Sequence, residues 1–581
     1  MANYCKILEN LKNFFTSPVS NPIMDGYLIH TLSRFLDHID DLKCGTPVLG
    51  VGVCVENYSE FNLHKIDMEE LPVRIKQEGK YDIWSRFPEE ISSVEKVTKL
   101  LTEYNKGLII WSHPNTQVNV IPPSTIPSIM AFVAASTFNP SIDWDEYAGN
   151  FADAEIHSVA MLSDLVGYDQ NKSGGIFTFG GTGANLYACK LGMENIYAGR
   201  SAIEGIREDV KIVSSDASHY SKLNIANWLG IGTKNVVNIP TQDNAMSIKD
   251  LESYLRHAFD KGDKIAIILA TMGTTDAFGI DDLEKIIELR DKLSVEYKLE
   301  YRPWIHADAA IGWPWIVFKD YNFNENPLGF NSRTLHSLQE SITRIRSLNM
   351  ADSITIDFHK IGYTPYISSL FLLKDRKDLN LITRAKESMP YMYQFGFYHP
   401  GIYTLETTRP GSGCLAALAN IRLLGKQGYR VLVGHLVEMA QILRNRLEEY
   451  PFIKILNNNN QGPVTLFRIY PNGNENCDDD KYINTEEIFQ KEIKDPEYRK
   501  QLEKNNKYNI DIFQFTHERA MRGEGVLLSM TLGYRYTEYM DGPSIVAIKS
   551  YIMSPWTDKD SVETVVRQVI EARKQIKINN L

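Results

Sequence analysis

Between about residues 116 and 415, short apolar runs alternate with helical patterns. The runs cover 175–179, 210–214, 265–270, 304–307, 353–356 and 367–373. Strands this short and this uniformly apolar, separated by helix-length segments, are what βα units produce. They build a parallel sheet buried on both faces between helices. The same pattern says where to look for chemistry, because ligands of an open parallel sheet bind beyond the carboxyl ends of its strands.

The flanking parts are less regular. Residues 1–115 form a mixed N-terminal segment, with a candidate helix near 92–104 and a Gly/Val-rich piece, Leu49-Gly50-Val51-Gly52-Val53. Pro410-Gly411-Ser412-Gly413 closes the large domain, 116–415, and a helical pattern opens at 414. Residues 416–581 read as a small α+β domain with a strand near 462–470. A polar insertion at 471–510, carrying Cys477-Asp478-Asp479-Asp480-Lys481, reads as a solvated excursion.

At 581 residues the chain can bury one large core and a smaller one. The net charge of −11 argues against nucleic acid or an anionic membrane as the main partner. No apolar run approaches the roughly 18 residues of a spanning helix, and the first residues lack the pattern of a signal peptide. The six cysteines contain no CxxC pair, which favours reduced thiols over disulfides or a zinc site. The expectation is a cytoplasmic protein without metal, membrane or nucleic-acid partners.

The candidate site residues stand at strand ends. After 175–179 comes Gly180-Gly181-Thr182-Gly183-Ala184-Asn185, then a helical pattern. Strand, glycine turn and helix start make an anion site, although a tight turn alone explains the glycines equally well. After 210–214 comes His219, able to stack on a ring but also the kind of histidine that commonly serves structure. Gly273-Thr274-Thr275 follows 265–270, and its small residues permit close approach of a ligand. Asp308 ends the run at 304–307, and Asp357-Phe358-His359-Lys360 follows 353–356. A lysine that can form a Schiff base and a buried acid that keeps a pyridine nitrogen protonated are what pyridoxal phosphate (PLP) requires. Each feature alone has a bland explanation. Five in order, converging on one sheet edge, form a constellation.

This ordered set resembles the group II PLP-dependent decarboxylases of the fold-type I, aminotransferase-like superfamily. The resemblance is clear over about 105–430 and looser beyond. It implies a large PLP-binding domain with a mostly parallel seven-stranded sheet, and a homodimer with active sites between subunits. The implied reaction is decarboxylation of an L-amino acid to its amine and CO₂. By the same resemblance Lys360 is the Schiff-base lysine, Asp308 the partner of the pyridine nitrogen, and His219 the ring-stacking residue. Ala310 packs on the other ring face. Gly181, Thr182 and His359 contact the phosphate, and Thr275 the polar ring substituents. A tyrosine on a mobile loop after the lysine returns the proton. Tyr391, Tyr393, Tyr398 and Tyr403 are its candidates, and Tyr403 joins Lys360, Asp308 and His219 in the expected catalytic set.

Two departures bear on substrate. Ser112-His113-Pro114 leads to Asn119-Val120 where aromatic decarboxylases carry an aromatic pair, so Asn119 is expected to hold a polar or acidic substrate group. Trp313 and Trp315 are either pocket wall or core. The segment His359 to Pro365 also resembles sphingosine-phosphate lyases, but Tyr366 stands where those enzymes carry a lysine. A carbon–carbon lyase of that type, an aldehyde-forming oxidative decarboxylase and a non-enzymatic PLP-fold regulator are the alternatives. The joint presence of Lys360 and Asp308 weighs against the last.

Overall fold

The computed structural model describes residues 22–42, 87–105, 107–206, 209–390, 396–471 and 483–576. The chain divides into one unit of Met1–Ile110 with His517–Gly525 and a second of Trp111–Thr516 with Val526–Leu581. In the first, helices Pro22–Leu42 and Val94–Thr102 meet, and the Tyr27 hydroxyl donates to Glu95 Oε1 at 2.7 Å. The second helix lies where the sequence pattern placed one. The Gly/Val-rich piece at 49–53 lies outside the described residues.

The second unit carries both large sheets. A short first strand, β1 (Thr116–Gln117), precedes β2 (Gly174–Thr178), β3 (Val210–Ser215) and β4 (Val236–Ile239). A small hairpin, β5 (Thr241–Gln242) and β6 (Ala245–Met246), leads to β7 (Lys264–Thr271), β8 (Trp304–Asp308), β9 (Ser353–Asp357) and β10 (Ser369–Leu373). The seven-stranded sheet runs β2-β10-β9-β8-β7-β3-β4. Neighbours from β9 to β4 pair in parallel, and β10 is antiparallel to both β2 and β9. The fold is therefore the expected α/β arrangement with a mostly parallel sheet.

Strand side chains alternate between two cores, because successive residues of a strand point to opposite faces. Leu370 and Leu372 join Ile305, Ala307, Ile354 and Ile356 in one core. Phe371 and Leu373 join Ile176, Ile212 and Leu269 in the other. Burial on both faces is why these strands read as continuous apolar runs. Helix Gly181–Tyr197 covers the second core with Ala184, Ala188 and Leu191. It approaches so closely that a Cβ on Gly192 would stand 2.7 Å from the Ala266 carbonyl oxygen.

Helix Ser412–Glu448 follows, broken at Gly425, whose φ of 53° and ψ of −170° leave the helical region. The second sheet runs β1-β13-β14-β12-β11, built from β11 (Ile453–Ile455), β12 (Val464–Ile469), β13 (Leu527–Thr531) and β14 (Ala547–Tyr551). Its first member comes from ahead of the large sheet, since β1 pairs in parallel with β13.

The structure corrects the reading of 471–510 as a solvated excursion. Residues 472–482, with the acidic run, lie outside the described residues. Beyond them stand helices Thr485–Lys494 and Arg499–Met521, and Phe489, Ile493 and Leu502 pack with Ile545 in a core of their own. The charged composition hid a narrow apolar stripe at helical spacing. Buried Glu492 accepts from Arg468 at 2.8 Å, from Tyr470 at 2.9 Å and from Asn505 at 2.7 Å. Removing one member strands the other charge in a dry interior. Arg468→Ala should therefore cost about 3–5 kcal/mol in a denaturant titration. A change below about 1 kcal/mol would mean the pair is solvated.

Candidate active site

The parallel strands β2, β3, β7, β8 and β9 end at one edge of the large sheet, and antiparallel β10 begins there. Register aligns Thr271, Asp308 and Thr355 across β7, β8 and β9 at that edge. The loops leaving these strands surround a cavity of about 390 Å³. All eight residues expected to hold the cofactor line it: Gly181, Thr182, His219, Thr275, Asp308, Ala310, His359 and Lys360.

One wall is a helix start. Gly180, with φ of 106°, turns the chain from β2 into helix Gly181–Tyr197. A Cβ on Gly181 would lie 2.7 Å from Asp357 Oδ2, so only glycine leaves this cradle open. The first amides of the helix have no intrahelical acceptor and carry the positive end of its dipole, which suits a phosphate.

His219 supplies a flat neutral surface. Its Nδ1 accepts from the Ser221 amide at 3.2 Å, and its ring stacks on Tyr220 with centroids 4.3 Å apart. Burial, opposed by the charge of Asp308, holds its pKa below the ordinary histidine value. The Ala310 methyl also lines the cavity, and its amide donates to Asp308 Oδ1 at 3.3 Å. Asp308 Oδ2 accepts from Asn185 Nδ2 at 2.9 Å.

Lys360 Nζ stands 3.0 Å from Asp357 Oδ2. Burial works to raise the Asp357 pKa, but Lys360 and His359 together with the Ser369 hydroxyl outweigh it and hold the carboxyl below its usual range. His359 Nδ1–H points to the Ser368 carbonyl at 3.0 Å, and its ring packs on Tyr366 with centroids 4.2 Å apart. The Thr271 hydroxyl, buried in the cavity wall, has no hydrogen-bond partner among the described residues and is available to a bound group. An anion cradle, an amine, a carboxylate and two flat walls in one cavity fit PLP.

Other expectations are not met within this chain. Tyr403 does not reach the cavity. It lines a separate one of about 520 Å³ with Gly174, Gly175 and Arg376, at the opposite, amino end of β2. The turn Pro400–Ile402 carries it there, pinned by the Gly401 amide to the Asp143 carbonyl at 2.8 Å. Tyr398 is tied through its hydroxyl to Glu155, which also pairs with buried Arg409 at 2.7 Å. Tyr391 and Tyr393 lie outside the described residues. Asn119 is exposed, and its Oδ1 accepts from the adjacent Val120 amide at 2.8 Å, away from the cavity. Trp313 and Trp315 are core, packed on Phe358 and Phe278.

Sequence reasoning assigned no role to Asn185, Asp357 or Tyr366, all of which line the cavity. Two of them carried a usable signal. Asn185 lies one helical turn beyond Gly181, and Asp357 precedes Lys360 by one tight turn.

The edge, the cradle, the lysine and the aspartate together are the groups a PLP enzyme needs. Comparison with known proteins narrows the class. Residues 85–325 match the model of the pyridoxal-dependent decarboxylase conserved domain. L-2,4-diaminobutyrate decarboxylase of Acinetobacter baumannii is 28% identical over 388 residues, covering 64% of this chain and 69% of that protein. L-tyrosine decarboxylase of Enterococcus faecium is 26% identical over 392 residues, covering 62% of this chain and 61% of that protein. Among solved structures, the glutamate decarboxylase domain of a diaminobutyrate–pyruvate transaminase and L-2,4-diaminobutyrate decarboxylase from Vibrio parahaemolyticus superposes with a TM-score of 0.68. At 18% identity it covers 98% of this chain and all of that one, and shows the shared fold. Over these stretches the chain is similar to pyridoxal-dependent amino-acid decarboxylases.

Proposed function

We propose that this protein removes the α-carboxyl group of an L-amino acid as CO₂ and releases the amine, using PLP. The observation that carries the reading is that Lys360 and Asp308, from adjacent parallel strands β9 and β8, share one cavity with a glycine-led helix start. Bound there, PLP supplies an electron sink for the bond broken at the amino-acid Cα. The chain's own groups do the rest. Lys360 Nζ would hold the cofactor covalently until a substrate amine takes its place. Asp308 accepts the hydrogen bond of the pyridine nitrogen and favours its protonated form. The amides of Gly181 and Thr182 hold the phosphate, and His219 with Ala310 keeps the ring flat between them.

The relatives name different substrates, 2,4-diaminobutyrate, tyrosine and aspartate among them. For this chain the substrate stays at the level of an L-amino acid. The proton donor and Asn119 belong in the reading to a partner subunit of a cytoplasmic homodimer. Helix Ile126–Phe138 supports it by exposing Ile126, Met130 and Phe138 at 75%, 63% and 76%. No described helix is long and apolar enough to cross a membrane.

The test is a screen of single amino acids with PLP-loaded protein, following CO₂ and amine together. Equal amounts of both, from one amino acid, are expected. An aldehyde formed with hydrogen peroxide would instead identify the oxidative decarboxylase. An aldehyde formed without CO₂ would identify the carbon–carbon lyase.

A further inference from the structure

Beneath the cavity lies a line of buried polar side chains on one face of the sheet, made by alternate residues of β8 and β9 and by the helix above them. Trp304, His306 and Asp308 project from β8, Ser353 and Thr355 from β9, and Asn185 from helix Gly181–Tyr197. Except for Asp308, which faces the cavity, all are buried.

With Asp308 taken as ionised, one consistent set of donors and acceptors runs through them, and Thr355 Oγ1, 2.9 Å from His306 Nε2, fits it as a second acceptor. An ionised carboxylate only accepts, so the Asn185 group 2.9 Å from Asp308 Oδ2 is its NH₂. The Asn185 amide oxygen then faces His306 Nε2 at 3.0 Å and the Thr355 hydroxyl at 2.8 Å. An amide oxygen cannot donate, so His306 carries its proton on Nε2. At the far side, Trp304 Nε1 donates to Ser353 Oγ at 2.8 Å, leaving the Ser353 proton for His306 Nδ1, also at 2.8 Å. The imidazole is thus neutral and of one tautomer, in keeping with burial that pushes its pKa down to about 4. Every proton points the same way, from Trp304 through Ser353, His306 and Asn185 to Asp308.

We infer that His306 and Asn185 are positioning residues that hold Asp308 ionised and aimed, and so set the protonation of the cofactor's ring nitrogen. The inference rests on the PLP reading above. A proton on Asp308 Oδ2 would place a hydroxyl against the Asn185 NH₂, and reversing the amide to accept it would set two donors, the Asn185 NH₂ and His306 Nε2–H, against each other. Protonation at Oδ2 therefore breaks a hydrogen bond in the line, and protonation at Oδ1 disturbs the one from the Ala310 amide. Unpaired buried polar groups of this kind cost about 1–3 kcal/mol each. The line therefore favours a carboxylate that only accepts, the partner a protonated pyridine needs.

The experiment uses full-length protein loaded with PLP carrying ¹⁵N at the ring nitrogen, read by NMR across pH, with cofactor content measured separately. Wild type is expected to keep the ring nitrogen protonated over the stable pH range. Asn185→Asp sets a second carboxylate beside Asp308. The pair should then share a proton, and ring protonation should acquire a pH dependence absent from wild type. His306→Leu should lose ring protonation in part and lower kcat about 10–100-fold at unchanged cofactor content, the scale seen when supporting hydrogen bonds are removed. His306→Gln, which keeps a donor near Asn185, should recover most of it and also serves if the leucine variant fails to fold. If the variants bind cofactor and their ¹⁵N signals and pH profiles match wild type, the inference is overturned. If wild type takes up no cofactor, the PLP reading fails instead.

Discussion

Replacing Lys360 by alanine should abolish turnover, with a loss of more than about a thousandfold. That is over about 4 kcal/mol of barrier at 1.4 kcal/mol per tenfold. Among the described residues no other lysine lines the cavity to take over the covalent attachment. The measurement is borohydride reduction of loaded wild type followed by peptide mapping, alongside steady-state rates. The reduced label should sit on Lys360 and vanish in Lys360→Ala. A label on another residue, or a variant within tenfold of wild type, would dismiss the assignment. Asp357 supplies a second reading of the same experiment. Its carboxylate loses the 3.0 Å ammonium partner in Lys360→Ala, one of the effects that hold its pKa down against burial, while His359 and the Ser369 hydroxyl remain. A carboxyl whose pKa is depressed on folding contributes stability above the unfolded value near 4, and the variant keeps less of that contribution. The variant should therefore be less stable than wild type at neutral pH and closer to it in mild acid.

Asp308→Ala should separate binding from chemistry. The phosphate cradle and Lys360 are untouched, so cofactor is retained, with weaker affinity. The ring loses the anion that keeps its nitrogen protonated, and kcat should fall by about a hundredfold or more, roughly 3 kcal/mol. Asp308→Glu keeps the charge but lengthens the arm beyond its Asn185 and Ala310 donors, and should fall between the two. Retained cofactor with a near-normal rate in Asp308→Ala would refute the role.

The large sheet was legible in sequence because its strands are buried on both faces, so each local run is apolar throughout. β4 escaped notice for the complementary reason. It is an edge strand of four residues with an exposed position inside it, and Val236-Val237-Asn238-Ile239 looks like any short loop-flanked segment. β1 has only two residues, and its partner β13 lies far along the chain, so no local pattern announces it. The cofactor residues were legible because each stands within a few positions of a strand end, and topology alone brings strand ends together. Tyr403 and Asn119 follow no such rule. Their positions depend on how turns pack on distant elements, as the contact of Gly401 with Asp143 shows. Asn185 was visible as a residue but not as a role, because its role exists only in its contacts with β8 and β9.

The antiparallel strand β10 has a consequence in time rather than in space. It lies between β2, which leads into the phosphate cradle, and β9, which leads into Lys360. As the chain emerges from its amino end, the cradle is synthesised early and the lysine late, with no direct pairing between their strands. Only when residues through Leu373 are available can β10 join them, closing a very long loop against its entropy. Contacts so distant in sequence form slowly. The cavity is therefore expected to be among the last parts of the large sheet to form, with cofactor capture late in folding. PLP acts as a lock on the finished sheet, stabilising it by binding only the native state, rather than as a template for building it.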